Sequence, residues 1–283
     1  MRVLITGSHG FVGSNLIEAF ESTYNIIRWD VREGKPLPEC DAVIHLVGKA
    51  HDTKNASHED EYYEVNTELT KKIFDAFLKS KAKKFIFFSS IKAKDNDTPY
   101  AKSKKAAEDY IEDVRNKKVT RDKHIYILRP CMIHGKGVKG NLPQLFKFIK
   151  RGWPWPLAAF ENKRSYASMG NVIFIVSKLL SLEVPSGIYN ICDDEPVSTN
   201  ELVEIICQCK GEMAHMWRIP QKVMKSIAYL GDIFHFPLNT ERLGKLTGNC
   251  IISNYDIKKN LGINRLPIGS KDGLRYTIEM LNV

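Results

Sequence analysis

The chain has 283 residues, 43% of them hydrophobic and 27% charged, with a formal charge of +9. This excludes a disordered or fibrous chain and gives enough apolar surface for one large domain or one and a half. No apolar run approaches a membrane span, and Met1-Arg2 leads straight into VLITG with no leader-like segment, which reads as a cytoplasmic protein.

Residues 2–6 (RVLIT) read as a short buried strand, GSHGFVG as a glycine turn, and the stretch carrying Phe11, Leu16, Ile17 and Phe20 as an amphipathic helix. NIIRWD (25–30) and DAVIHLVG (41–48) read as further strands, the latter apolar on both faces as buried parallel strands are. Leu69, Ile73 and Phe77 recur at helical spacing and predict a helix over about 64–79. KFIFFSS (84–90) is another buried strand, YAKSKKAAEDYIEDVRN opens a helix, and IYILRP (125–130) is a strand stopped by Pro130. The alternation predicts an α/β fold, a doubly wound parallel Rossmann sheet, with ligands at the carboxyl ends of the strands. Beyond Pro130 the pattern is less regular: VIFIVSKLL (172–180) reads as a helix, GIYNI (187–191) as a strand, and Ser198 or Thr199 as a helix cap. The expected division is a dinucleotide-binding domain over 1–130, joined by a contribution near 172–191, and a smaller, mainly substrate-binding region over 131–283.

Cys40, Cys131, Cys192, Cys207, Cys209 and Cys250 lack paired metal-ligand spacing and no histidine cluster supports them, so they read as reduced thiols with no metal. Lys79, Lys81, Lys83 and Lys84 fall at a predicted helix end, where positive charge suits the helix dipole. With no basic stripe interleaved with aromatics, the positive charge suits a diphosphate ligand better than nucleic acid. KVMKSIAYLGDIF (222–234) is apolar with lysines at one end, as interfacial helices are. Its lysines are few for anionic-lipid anchoring, so it reads as a packed helix and no membrane partner is expected.

Gly7, Gly10 and Gly13 follow a strand and open a helix, the context in which backbone N–H groups approach a pyrophosphate at a positive helix end. Asp30 ends the second strand, where a carboxylate accepts from ribose hydroxyls and repels a 2′-phosphate; this favours NAD. Arg28 and Arg32 flank it and leave NADP open. Tyr100 and Lys104 share one helix face, where an ammonium is expected to lower the phenol's pKa; a Ser89 or Ser90 hydroxyl could share a substrate oxygen with the tyrosine.

TGSHGFVG, DAVIHLVG, FFSSIKA, PYAKSKKAAE and LRPCMIHGKGVKGN together resemble the extended short-chain dehydrogenase/reductase family, of the NAD-dependent epimerase/dehydratase type. Within it the chain is most similar to UDP-sugar 4-epimerases and to 4-ketoreductases that make UDP-N-acetylfucosamine or UDP-N-acetylquinovosamine. The resemblance implies hydride transfer at C4 of a UDP-hexose, with Tyr100 as the acid/base at O4 and Lys104 as its electrostatic partner. It implies that Gly7, His9, Gly10, Phe11, Val12 and Gly13 form the pyrophosphate loop, that Asp30 binds ribose, and that Leu46, Val47 and Gly48 pass the cofactor. It further implies that Asn141 and Arg164 contact the substrate diphosphate and that Leu157, after WPWP, belongs to the uracil-binding stretch. A homodimer is left open.

The chain departs from the family pattern at four places. Only ten residues separate Asp30 from Asp41, where a further strand and helix are usual. The segment from Ser90 to Tyr100 is short, and Ile91 stands where a serine or threonine is usual, which makes Ser90 the first choice for the catalytic hydroxyl and Ser89 the second. Gly170 stands where an aspartate is expected. The alternative expectation is a catalytically degenerate Rossmann protein that senses cofactor or serves as a scaffold.

Overall fold

The computed structural model describes residues 1–31, 36–49, 59–95, 97–117, 122–236 and 238–282. The chain forms two compact units. The first comprises Met1–Cys131, Val172–Ile191 and Asn254–Asn264; the second comprises Met132–Asn171, Cys192–Ser253 and Arg265–Val283.

Unit one is a six-stranded, wholly parallel sheet. Its strands are β1 (Arg2–Thr6), β2 (Asn25–Trp29), β3 (Ala42–His45), β4 (Lys84–Phe88), β5 (His124–Pro130) and, after a short strand pair in unit two, β8 (Gly187–Ile191). They lie in the order β2-β1-β3-β4-β5-β8. Among the described residues no strand lies outside β2, so the brevity of the segment before Asp41 removes an edge strand. The crossovers carry α1 (Phe11–Phe20), α2 (Glu59–Tyr63), α3 (Leu69–Lys79) and α4 (Pro99–Asn116). Strand order reverses at β1, which places the ligand-binding crevice of this fold at the carboxyl ends of β1 and β3.

The apolar runs become the core because both sheet faces are covered. Phe74 and Phe77 of α3 each meet Phe85 of β4 with ring centroids 5.1 Å apart. Burial of side chains this large contributes about 1.5–3 kcal/mol apiece. The helix expected over 64–79 begins earlier and is interrupted: Glu64–Glu68 form a π-turn between α2 and α3. Of the lysines expected at the end of α3, Lys79 lies in its last turn, while Lys84 lies in β4 and serves another helix. Lys84 Nζ donates to the carbonyls of Leu179, Leu180 and Leu182 at the end of the helix before β8, and Lys123 Nζ to those of Phe77, Ser80 and Ala82 after α3.

Unit two pairs β6 (Met132–His134) with β7 (Tyr166–Ser168) in parallel. Its helices are α5 (Asn141–Lys150), α7 (Thr199–Gln208), α8 (Gln221–Phe234), α9 (Thr240–Thr247) and α11 (Ser270–Asn282). Helix α6 (Met169–Ser181) starts in this unit and ends in unit one, to which α10 (Tyr255–Leu261) also belongs. Ser198 is the α7 cap, in a capping box with Glu201. No disulfide joins any of the six cysteines, and Cys209 and Cys250 are half-buried. Helix α8 does not match its sequence reading. Only Met224, Ala228 and Gly231 are buried, and the remaining apolar residues face outward.

Candidate active site

The glycine turn is built from backbone proximity. Gly7 sits at φ +68, and a β-carbon there would stand 3.1 Å from the carbonyl carbon of Leu46 and the nitrogen of Val47. A β-carbon on Gly13 would lie 2.3 Å from Gly7 O, a distance no side chain tolerates. These close approaches bring the glycine turn and the Leu46–Gly48 segment together at the β1/β3 crevice. Gly10 caps α1 with no side-chain hydrogen bond, so the first-turn N–H groups form a cradle for an anion. His9 is exposed and its Nδ1 lies 3.2 Å from Ser8 Oγ; Phe11 and Val12 are half-buried. Trp29 pairs with Thr6, so Asp30 follows at the next rung, beside Gly7. Asp30 is half-buried and Arg28 is exposed; Arg32 lies outside the described residues. The cradle, the lack of side-chain bulk and the neighbouring carboxylate fit a dinucleotide.

Beneath the crevice lies a buried polar chain that the sequence reading missed. Thr70 Oγ1 donates to Asn66 O at 2.8 Å, so its proton is used and His45 Nε2 must donate to it at 2.9 Å. His45 Nδ1 therefore accepts from Thr6 Oγ1 at 2.8 Å. Thr6 Oγ1 in turn accepts from Leu46 N at 3.1 Å, fixing the start of the cofactor segment. Burial, helped by the charge of Lys104, pushes the His45 pKa down to about 3. Asn66, at the π-turn, holds both groups of Lys49: Lys49 N donates to Asn66 Oδ1 at 2.7 Å, and Asn66 Nδ2 donates to Lys49 O at 3.0 Å. Asn66 Nδ2 also donates to Ser103 Oγ on α4 at 2.9 Å. Polar residues at 66, 67 and 70 on the face that continues into Ile73, Phe74 and Phe77 are the available sequence signal.

Tyr100 and Lys104 lie in the first turns of α4, where Thr98 caps and Pro99 starts the helix. The Tyr62 ring meets the Tyr100 ring edge-on at 6.5 Å. Lys104 is buried; its Nζ donates to Phe88 O at 3.0 Å and lies 4.9 Å from the Phe87 ring centre. Burial lowers its pKa to about 8, against the opposing pull of Glu108. Glu108 is itself held by two guanidinium nitrogens of Arg129, Nε and Nη2. The Tyr100 pKa moves opposite to the sequence expectation. Burial raises it, and the hydrogen bond with Ser90 is the only opposing influence. The Lys104 ammonium is turned to the Phe88 carbonyl. Ser90 also caps the short 3₁₀ turn Ile91–Lys94. Ser89 is buried, and its hydroxyl has no hydrogen-bond partner among the described residues.

In unit two, Asn141 is exposed at the first position of α5. Arg164 is half-buried; its Nη1 donates to Lys245 O at 2.8 Å and Gly248 O at 3.1 Å, the last carbonyls of α9. The Leu157 side chain is buried, because bridges from Trp155 to Met216 and from Leu157 to Arg218 pin the segment inside. A β-carbon on Gly170 would meet the end of the Ile268 side chain, Cδ1, at 2.2 Å, so an aspartate there requires that side chain to move. The buried carboxylate here is Asp193. It accepts from Ser168 N and Oγ at 3.0 Å each and from Asn171 Nδ2 at 2.7 Å.

A glycine cradle at the switch point of a parallel sheet, with a buried lysine one helical turn beyond a tyrosine, defines a nicotinamide-dinucleotide enzyme of the Rossmann class. Residues 3–192 match the NAD dependent epimerase/dehydratase family, and the chain belongs to it. A UDP-glucose 4-epimerase from Vibrio cholerae is 27% identical, with 98% of this chain and 94% of that protein covered. The N-acetyl-alpha-D-glucosaminyl-diphospho-ditrans,octacis-undecaprenol 4-epimerase of Escherichia coli O157:H7 is 28% identical, covering 91% of this chain and 85% of that one. The fold is shared with the crystal structure of UDP-glucuronic acid 4-epimerase from Bacillus cereus in complex with NAD. Its TM-score is 0.76 at 17% identity, and 100% of this chain and 99% of that chain are covered.

Proposed function

We propose that this chain catalyses reversible hydride transfer at C4 of a UDP-linked hexose, an N-acetylhexosamine or its 4-keto-6-deoxy derivative, with Tyr100 as acid/base. The observation that carries the reading is the grouping of Tyr100, Ser90, Ser89 and Lys104 at the carboxyl end of β4, beside Gly48. Both curated relatives are named 4-epimerases, which supports C4 as the reacting carbon. NAD, held by the glycine cradle and Asp30, supplies the redox partner for C4. Tyr100 takes the O4 proton as the carbonyl forms and returns it as the carbonyl is reduced. Burial raises the phenol pKa and only the Ser90 hydrogen bond opposes it, so this mechanism requires the Lys104 ammonium to turn toward the phenol oxygen when cofactor and substrate bind, where it would favour the phenolate. The unpartnered Ser89 hydroxyl is placed to hydrogen-bond a ligand oxygen, while Ser90 orients the phenol. Asn141 and Arg164 hold the diphosphate.

One observation favours a second reading, a cofactor-binding protein without turnover: the phenol pKa is pushed up, away from the working range. Single-turnover hydride transfer, followed by nicotinamide absorbance with UDP-N-acetylhexosamines and their 4-keto-6-deoxy derivatives, separates the two. Tyr100→Phe is expected to retain fold and NAD binding while the rate falls by roughly 10²–10⁴. Transfer at the wild-type rate in Tyr100→Phe would overturn the tyrosine's role. A wild type that binds NAD and transfers to none of these sugars would establish the second reading.

A further inference from the structure

Helix α8 carries two apolar stripes, and the fold uses one of them. Met224, Ala228 and Gly231 recur at helical spacing and pack inward, and a β-carbon on Gly231 would clash with Leu238 O at 1.9 Å. Val223, Ile227, Leu230 and Phe234 form a second stripe at the same spacing, turned about 90° from the first. These four side chains are between 42% and 62% exposed. His235 ends α8 at φ +57 and turns the chain so that the Phe236 ring stacks on Phe234 at 5.8 Å, which extends the stripe with another exposed aromatic. The exposed stripe is about 16 Å long at the rise of an α-helix. Ile233, on its flank, is also exposed, as are Tyr229 and, before the helix, Trp217.

The charge around this stripe has one dominant sign. Arg218, Lys222 and Lys225 are exposed at or before its amino-terminal half. Asp232, the only acidic residue of α8, accepts from Thr240 N at the start of α9, so its charge serves that helix. A twofold pairing of this face with itself would bring the cations of two copies together in a molecule already at +9. An anionic lipid surface instead complements Arg218 and Lys222 at the amino-terminal end of the stripe and buries the stripe, with Trp217 suited to the headgroup level, whereas Lys225 and Tyr229 lie about 170° and 130° round the helix from it and face away.

We propose that α8 and Phe236 form a docking surface for an anionic bilayer, on which the helix lies flat with Val223, Ile227, Leu230, Phe234 and Phe236 entering the headgroup–acyl boundary. The helix is too short to cross a membrane, and no described helix is long and apolar enough to do so. The proposal is independent of the sugar chemistry above, since it uses none of those residues.

The test is co-sedimentation of the full chain with vesicles of phosphatidylethanolamine and phosphatidylglycerol, and with vesicles of phosphatidylcholine alone. The chain is expected to sediment with the anionic vesicles and much less with the neutral ones. Leu230→Ser with Phe234→Ser is expected to weaken anionic-vesicle binding by at least about tenfold. Arg218→Glu with Lys222→Glu leaves the apolar stripe intact and is expected to weaken it by a similar factor. All four positions are exposed, so thermal melting should match wild type and exclude misfolding. No sedimentation with anionic vesicles, or equal binding by the serine double variant, overturns the proposal. So does a wild-type dimer that the serine variant converts to monomer without any vesicle binding, because a second copy would then own the face.

Discussion

A β-carbon on Gly48 would stand 2.8 Å from the Nζ of Lys104 and 3.1 Å from Asn66 Oδ1. The absent side chain of one residue is thus what lets the buried ammonium reach its place beside the cofactor segment.

Gly48→Ala is therefore expected to push Lys104 Nζ away from the Phe88 carbonyl and to lower turnover by at least about tenfold, comparable to losing one well-placed charge-assisted hydrogen bond. Because the lysine end is flexible, the melting temperature should move little. Single-turnover rates beside a thermal melt check both halves, and an unchanged rate would show that the contact is incidental.

The acid limb of the stability profile should carry the signature of His45. Its folded-state pKa, about 3, lies below its ordinary value of 6.5, so the unfolded chain binds the extra proton between the two. The contribution is fully present above pH 6.5 and is lost as the pH falls toward 3. By around pH 4 the loss is on the order of 3 kcal/mol. His45→Gln should be less stable at neutrality yet show a flatter decline in urea unfolding between pH 7 and pH 4. A parallel decline in both proteins would remove His45 as the cause.

Asp30 is expected to make NAD(H) bind at least about tenfold more tightly than NADP(H), about 1.4 kcal/mol. Asp30→Ala should close most of that gap. Fluorescence titration of both reduced cofactors measures it, and equal affinities in the wild type would mean that Arg28 outweighs the carboxylate.

Arg164 has two expected effects. Arg164→Ala should weaken UDP binding in calorimetry while leaving NAD affinity unchanged, and it should also cost about 1–2 kcal/mol of stability because the Lys245 and Gly248 carbonyls lose their donor. Arg164→Lys should recover part of the UDP affinity and part of the stability, because a single nitrogen, Nη1, holds both carbonyls and an ammonium can do the same, as Lys84 does for three. UDP affinity equal to wild type in a folded Arg164→Ala protein would confine Arg164 to the bridge.

Much of unit one was legible in the sequence because parallel strands buried on both faces leave continuous apolar runs. VLIT, AVIH and FIFF could scarcely lie anywhere else. The glycine turn was legible for a related reason: Gly7 and Gly13 stand where backbone meets backbone. The π-turn at Glu64–Glu68 was not, since Leu69, Ile73 and Phe77 keep their spacing whether or not the turn before them is widened. Lys104 could be placed on the face of Tyr100 by spacing, but its partner is the Phe88 carbonyl, and the burial that raises the phenol pKa is a tertiary property that spacing does not show. Helix α8 shows a further limit. Two apolar stripes about 90° apart look alike in one dimension, and only packing decides which one receives a partner.

The sheet order also constrains how unit one can be synthesised and folded. Strand β5 carries the buried Tyr126 and Leu128, and its outer neighbour is β8, which begins only at Gly187. A nascent chain that has released β5 still presents it as an open parallel edge until all of β6, α5, β7 and α6 have emerged. The last rung of this sheet is therefore a long-range closure, slow to form and exposed to mispairing while it waits.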